Sequence, residues 1–189
     1  YLDTNDQFGA ISPPIYQTAT FRQESADEFG EYDYSRSGNP TRDLLEAKLA
    51  ELENARYAAA FSSGMAAITT LCRLLSAGDE IVAGNDLYGG TVRLFERVAV
   101  PNGIAVRYVN TADVDEVSNA VTDRTKLLFL ETPTNPLLQI ADMSALAGIA
   151  HSRGALLAVD NSVMSPVLQN PLDHGADVVV HSATKFLCG

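Results

Sequence analysis

Ala155-Leu156-Leu157-Ala158-Val159-Asp160-Asn161 opens with five apolar residues in a row and then meets a carboxylate. A run this short and this apolar reads as a strand buried on both faces, as strands of parallel sheets are. The carboxylate at its end is costly to bury unless a cation or a strong donor meets it. Otherwise it caps the segment that follows, and residue types alone leave both readings open. Moving outward, comparable runs lie at 57–61, 80–84, 104–109, 126–130 and 177–181, and the run quoted first occupies 155–159. Between most of them lie helical patterns near 64–76, 91–100, 113–121 and 142–152. Such alternation predicts an α/β fold, a mostly parallel sheet with helices on both faces.

The beginning of the chain differs in style. Residues 1–56 carry 11 acidic and 5 basic residues, hold loops such as Ser12-Pro13-Pro14 and Ser37-Gly38-Asn39-Pro40, and give little strand signal. We read 1–56 as an extended arm followed by a first helix, and 57–189 as the sheet domain. Pro40 suits the first turn of that helix, with Asn39 as its cap and Leu44, Leu45, Leu49 and Leu52 along one side.

Composition narrows the partners. The 189 residues are 46% hydrophobic and 20% charged, an ordinary globular balance, with enough chain to bury a core. A net charge of −11 argues against a nucleic-acid backbone or an anionic membrane as partner. The longest uncharged stretch, Tyr57 to Cys72, is broken by Ser, Thr and Gly, so no bilayer span is expected. Two cysteines make no disulfide framework, no permitted Asn-x-Ser/Thr sequon occurs, and a reducing intracellular compartment is favoured. His151, His174 and His181 have no metal-ligand spacing, so no metal is expected.

Parallel sheets bind ligands beyond the carboxyl ends of their strands. The segments there are Ser62-Ser63-Gly64-Met65, Asn85-Asp86-Leu87-Tyr88-Gly89-Gly90, Glu131-Thr132-Pro133-Thr134-Asn135-Pro136, Asp160-Asn161-Ser162 and His181-Ser182-Ala183-Thr184-Lys185. Gly64 and Met65 open a helix, whose free amides and dipole suit a phosphate; equally, the glycine serves only the shape of the turn. Lys185 is a surface charge or, at a ligand edge beside Ser182 and Thr184, an amine able to attack a carbonyl. The G-x-G-x-x-G fingerprint of a nucleotide-binding Rossmann protein, the remote alternative, is absent. A phosphate cradle, a lysine and a partner-seeking carboxylate together suit pyridoxal 5'-phosphate, with Tyr88 as an aromatic face for its ring.

Six blocks in order extend this reading: Tyr32-Asp33-Tyr34-Ser35-Arg36 with Gly38-Asn39-Pro40-Thr41, Ser63-Gly64-Met65-Ala66-Ala67, Asp86-Leu87-Tyr88-Gly89-Gly90, Glu131 to Pro136, Val159-Asp160-Asn161 and His181 to Lys185. In these the whole chain resembles the Cys/Met-metabolism family of fold-type I pyridoxal-phosphate enzymes. The resemblance implies that Lys185 carries the cofactor and moves protons, and that Asp160 pairs with the ring nitrogen. It implies further that Gly64, Met65, Ser182 and Thr184 hold the phosphate, that Tyr88 stacks on the ring and shares in proton transfer, and that Asn135 contacts the ring's oxygen side. Tyr34 and Arg36 match residues that reach into a neighbouring subunit's site, Tyr34 with a part in catalysis, in a homodimer usually paired into a homotetramer. The expected substrate is a small sulfur amino acid. Asp160-Asn161-Ser162-Val163-Met164-Ser165-Pro166 resembles the plant-type cystathionine β-lyases of the family, which implies β-elimination of L-cystathionine in methionine biosynthesis, with γ-synthase or γ-lyase as the alternative. A plastid is expected for a plant source and the cytoplasm otherwise. Family members continue well past Gly189, through a C-terminal domain and an arginine for the substrate carboxylate, so the chain is read as a fragment inactive alone.

Overall fold

The structure, a computed structural model, describes residues 8–189, and these fall into two compact units. The first comprises residues 8–51 and 55–60. Here the arm folds back on itself: Thr20 and Tyr34 form an antiparallel bridge, flanked by Phe21 N–H on the Asp33 carbonyl at 2.8 Å and Ser35 N–H on that of Ala19 at 2.9 Å. The first helix, α1 (Pro40–Leu52), starts where its cap predicts. Asn39 accepts Thr41 N–H on its side-chain oxygen and Asp43 N–H on its carbonyl, each at 2.9 Å, while Pro40 needs no acceptor. The leucine side of α1 is not a buried stripe, and only Ala50 of this helix is buried.

Residues 57–61 correct the sequence reading, because they form no strand. A ladder needs a partner, and among the described residues none pairs with this run. Ala60 N–H instead meets the Glu46 carboxylate at 2.7 Å, and Tyr57 is 75% exposed.

The second unit, residues 52–54 and 61–189, holds the sheet. In chain order it runs α2 (Gly64–Cys72), β1 (Glu80–Gly84), α3 (Gly89–Leu94), β2 (Ala105–Val109), α4 (Val114–Ala120), β3 (Thr125–Glu131), α5 (Met143–Ser152), β4 (Leu156–Asp160), α6 (Ser165–Leu168) and β5 (Val178–Val180). The five strands lie in the order β2-β1-β3-β4-β5, every pair parallel, as the alternation of runs and helices predicts. Successive side chains of β3 go to opposite faces, which explains its unbroken apolar run. Leu128 and Leu130 join Val117 of α4 and Leu146 and Ala150 of α5. Leu127 and Phe129 join Ile68 and Leu71 of α2 on the other face, where Phe129 meets Phe95 edge-on at 5.6 Å.

The helix expected at 91–100 is only partly α-helical. After Leu94 the chain widens into a π-helical turn, Phe95–Ala99, then tightens into a 3-10 turn, Val100–Asn102. Pro101 has no amide to continue the ladder, and Gly103 ends the segment at a φ of 84°, with Ala77 so close that a side chain there would press on it. The chain leaves β1 for β2 on one side and returns to β3 on the other. That reversal makes β1 and β3 the topological switch point, where ligand crevices open in such sheets.

Candidate functional site

A cavity of about 330 Å³ opens at the carboxyl ends of the strands, and all its lining residues come from the second unit. It brings together Gly64, Met65, Tyr88, Asn135, Asp160, Ser182, Thr184 and Lys185, eight of the ten residues singled out in the sequence. Tyr34 and Arg36 lie in the first unit, where the Arg36 guanidinium stands 4.8 Å from the centre of the Tyr34 ring.

The amino end of α2 forms one wall. Ser63 caps this helix, its hydroxyl taking Ala66 N–H at 3.1 Å and its carbonyl taking Ala67 N–H at 3.1 Å. The Gly64 and Met65 amides are thus the orphan donors at the positive end of the helix. Gly64 has no left-handed φ, so the turn shape is not what demands glycine. The demand is proximity: a Cβ there would stand 3.0 Å from Ser182 Cβ and 3.1 Å from its Cα. Glycine lets the segment after β5 lie against the helix start, so that two amides and the hydroxyl-bearing Ser182 and Thr184 share one cavity.

Asp160 is the last residue of β4, 7% exposed. Its Oδ1 accepts both the Ser162 N–H at 3.0 Å and the Ser162 hydroxyl at 2.6 Å. The same hydroxyl accepts Ser182 N–H at 2.6 Å. Asp160 therefore caps the turn after its strand and lines the cavity as well. The chain of bonds runs from Ser182 through Ser162 to Asp160, leaving Oδ2 for a donor in the cavity.

Behind this line sits a buried polar network. Asn161, fully buried, donates to Glu53 Oε1 at 3.1 Å and to the Gln169 carbonyl at 2.8 Å, and receives Gln169 Nε2 at 2.9 Å. His181, four residues before Lys185, bonds the same Glu53 oxygen through Nε2. The network ties the ends of β4 and β5 together. Lys185 and Thr184 themselves are exposed lining residues.

Tyr88 precedes α3, and its ring folds back over Gly90, where a Cβ would fall 2.3 Å from ring Cε1 and 3.0 Å from Met65 Sδ. Its N–H donates to Glu131 Oε2 at 3.0 Å across the switch point. Glu131 lines the cavity too, and the sequence reading gave it no role. Burial pushes its carboxyl up to about 7, the Tyr88 amide pulling against this and Asp160 and Asp86 adding to it. Ser63, Ser162 and the apolar Val163, Ile68 and Phe186 complete the lining that the sequence left unassigned.

These groups fit pyridoxal phosphate: orphan amides and hydroxyls for the phosphate, an amine for the carbonyl, an anion for the ring nitrogen and an aromatic face. Among the described residues no helix is long and apolar enough to cross a membrane.

Known proteins agree. The chain is 56% identical over 185 residues to a chloroplastic mimosinase of Mimosa pudica, covering 97% of this chain and 42% of that protein. It is 55% identical over 184 residues to a chloroplastic cystathionine β-lyase of Arabidopsis thaliana, covering 97% of this chain and 40% of that one. Among solved structures, a cystathionine γ-lyase from Lactobacillus plantarum, complexed with L-serine, matches with a TM-score of 0.92 and 49% identity over 96% of this chain and 47% of that one. The chain thus spans less than half the length of each. Matched across residues 2–189, it belongs to the family of Cys/Met metabolism PLP-dependent enzymes.

Proposed function

We propose that the protein is a pyridoxal-phosphate-dependent carbon–sulfur lyase that cleaves the Cβ–S bond of L-cystathionine, giving homocysteine, pyruvate and ammonia. The observation that carries the reading is the meeting of Lys185, Asp160 and the amino end of α2 in one cavity. For β-elimination in particular, support comes from the plant-type wording of residues 160–166 and the 55% identity to a cystathionine β-lyase.

Bound in the cavity, the cofactor supplies a sink for the electron pair left when an amino acid loses its Cα proton. The chain's own residues do the rest. The Gly64 and Met65 amides and the Ser182 and Thr184 hydroxyls hold the phosphate. Asp160 Oδ2 keeps a proton on the ring nitrogen, its other oxygen being engaged by Ser162. Lys185 Nζ would take the Cα proton and deliver a proton to the departing homocysteine sulfur, water completing the release of pyruvate and ammonia, and Tyr88 would offer its aromatic face to the ring and its phenol oxygen to proton transfer. Asn135, in the same lining, would contact the ring's oxygen side. Tyr34 and Arg36 complete the phosphate site of a second copy, the forked guanidinium matching phosphate oxygens. The working unit in this reading is a homodimer, itself paired into a tetramer. The compartment follows the source, a plastid in a plant and the cytoplasm elsewhere.

The test feeds L-cystathionine to the full-length protein and identifies the products. Pyruvate with homocysteine is expected. 2-Oxobutyrate with cysteine refutes β-elimination in favour of a γ-lyase, and cystathionine formed from an activated homoserine ester plus cysteine makes it a γ-synthase.

A further inference from the structure

The cavity has two buried carboxylates where the cofactor reading uses one. Glu131 ends β3, Asp160 ends β4, and the parallel register pairs them directly. Paired residues on neighbouring parallel strands project to the same face about 5 Å apart, and both line the cavity. Asp160 is tied through Ser162 to the segment before Lys185. Glu131, 5% exposed, is tied instead to the turn after β1, by the Tyr88 N–H, and also accepts the Asn135 amide from the turn after its own strand.

That bond matters because of where Tyr88 sits. As the residue before α3 it has no helical acceptor for its own N–H, while its carbonyl already receives Thr91 and Val92 N–H at 2.9 and 3.3 Å. The ring occupies the space that the absent side chain of Gly90 leaves, where a Cβ would meet both the ring and Met65 Sδ. The turn is anchored earlier by Asn85 N–H on the Val109 carbonyl at 2.8 Å and by Leu137 N–H on Asp86 Oδ2 at 3.2 Å, and at Tyr88 itself by a carboxylate from a different strand.

We propose that Glu131 is a positioning residue of the cofactor site, holding the Tyr88 turn and through it the aromatic face that lines the cavity with Asp160. The inference rests on the pyridoxal-phosphate reading and deepens it. An ionised carboxylate accepts an N–H more strongly than a neutral one, so the hold tightens as Glu131 loses its proton. The charged and titratable groups around it are Asp86 and Tyr88 from the turn after β1, Asp160 from β4 and Lys185 from the segment after β5, while α2 presents none. Were Asp160 to hold a protonated ring nitrogen, that positive charge would favour the ionised form of Glu131 against burial and the two aspartates, which oppose it.

The experiment strips the cofactor from the full-length protein and titrates pyridoxal phosphate back between pH 6 and 8.5, following its absorbance, for the wild type, Glu131→Ala and Glu131→Gln. Glu131→Ala is expected to bind on the order of tenfold more weakly at pH 8, through loss of the acceptor for the Tyr88 and Asn135 amides. Glu131→Gln keeps an acceptor for Tyr88 N–H at every pH, so its affinity should stay within about threefold of the wild type at pH 8. It should also lack the wild type's gain in affinity through neutral pH. Equal affinity of Glu131→Ala and wild type overturns the proposal, as does an identical pH profile for Glu131→Gln and wild type, which decides the matter alone if the alanine variant does not fold. A wild type that binds no pyridoxal phosphate overturns the cofactor reading itself.

Discussion

Ser162→Ala removes one oxygen from the line that joins Asp160 to the segment carrying Lys185. Two bonds go with it. The Asp160 carboxylate loses the hydroxyl at 2.6 Å but keeps the Ser162 N–H at 3.0 Å, and Ser182 N–H loses its acceptor. A hydrogen bond to a charged group contributes roughly 1.5–3 kcal/mol, and an amide left without a partner costs about 1 kcal/mol or more. Ser162 and Ser182 are only half-buried, so water replaces part of this. The expected net loss of stability is about 2 kcal/mol, read as a lower urea midpoint at unchanged slope. The loss should reappear in function, because the freed groups are those assigned to the ring nitrogen and the phosphate. Pyridoxal phosphate should bind about tenfold to thirtyfold more weakly. Ser162→Thr, which retains the hydroxyl, should restore both quantities. A Ser162→Ala protein within about 0.3 kcal/mol of the wild type in urea, with unchanged cofactor affinity, would refute the reasoning.

Two further outcomes follow from the same site. Gly64→Ala places a Cβ 3.0 Å from Ser182 Cβ and 3.1 Å from its backbone, and overpacking of this kind costs roughly 1–3 kcal/mol; the phosphate cradle should loosen, measured as weaker competition by inorganic phosphate against the cofactor, and unchanged competition contradicts the close-approach argument. Glu131 titrates near 7 when folded against about 4.5 when unfolded, so the native state binds the extra proton between those values. Stability of the cofactor-free protein should therefore fall as pH rises from about 4.5 to 7 and level off above, by about 3 kcal/mol at most. Glu131→Gln should show no such fall, and equal slopes for the two proteins in urea titrations across that window would remove Glu131 as the cause.

The fold was legible wherever a run of apolar residues found its partners within the next hundred residues. The runs at 80–84, 104–109, 126–130, 155–159 and 177–181 all became strands, with ends shifted by a residue or two. Residues 57–61 are as apolar as these and did not, because strand formation is settled by pairing and not by the run itself. The amide of Ala60 found a carboxylate of α1 in place of a ladder. Pro101 is visible in the sequence, but the π-helical widening ahead of it depends on how Phe95 and Ala99 reach the core between α2 and the sheet.

The site divides along the same physical line. Lys185 and Asp160 stood out because a charge at the end of an apolar strand is conspicuous against its background. Glu131 carries the same signature, after Leu127-Leu128-Phe129-Leu130, but residue types alone do not distinguish it from a carboxylate that merely opens the Thr132-Pro133 turn. What no spacing could reveal is the pairing of Glu131 with Asp160 in register, or the single hydroxyl of Ser162 serving both Asp160 and Ser182. Both are consequences of strand order, since β3 lies between β1 and β4 while the chain visits β2 first. The reversal opens the crevice into which Tyr88 turns, and puts a carboxylate of β3 within reach of its amide. A buried acid there weakens the empty protein as it ionises, and under the proposal a protonated ring held by Asp160 would offset that penalty. The strand order that creates the crevice therefore also sets two carboxylates side by side at its floor.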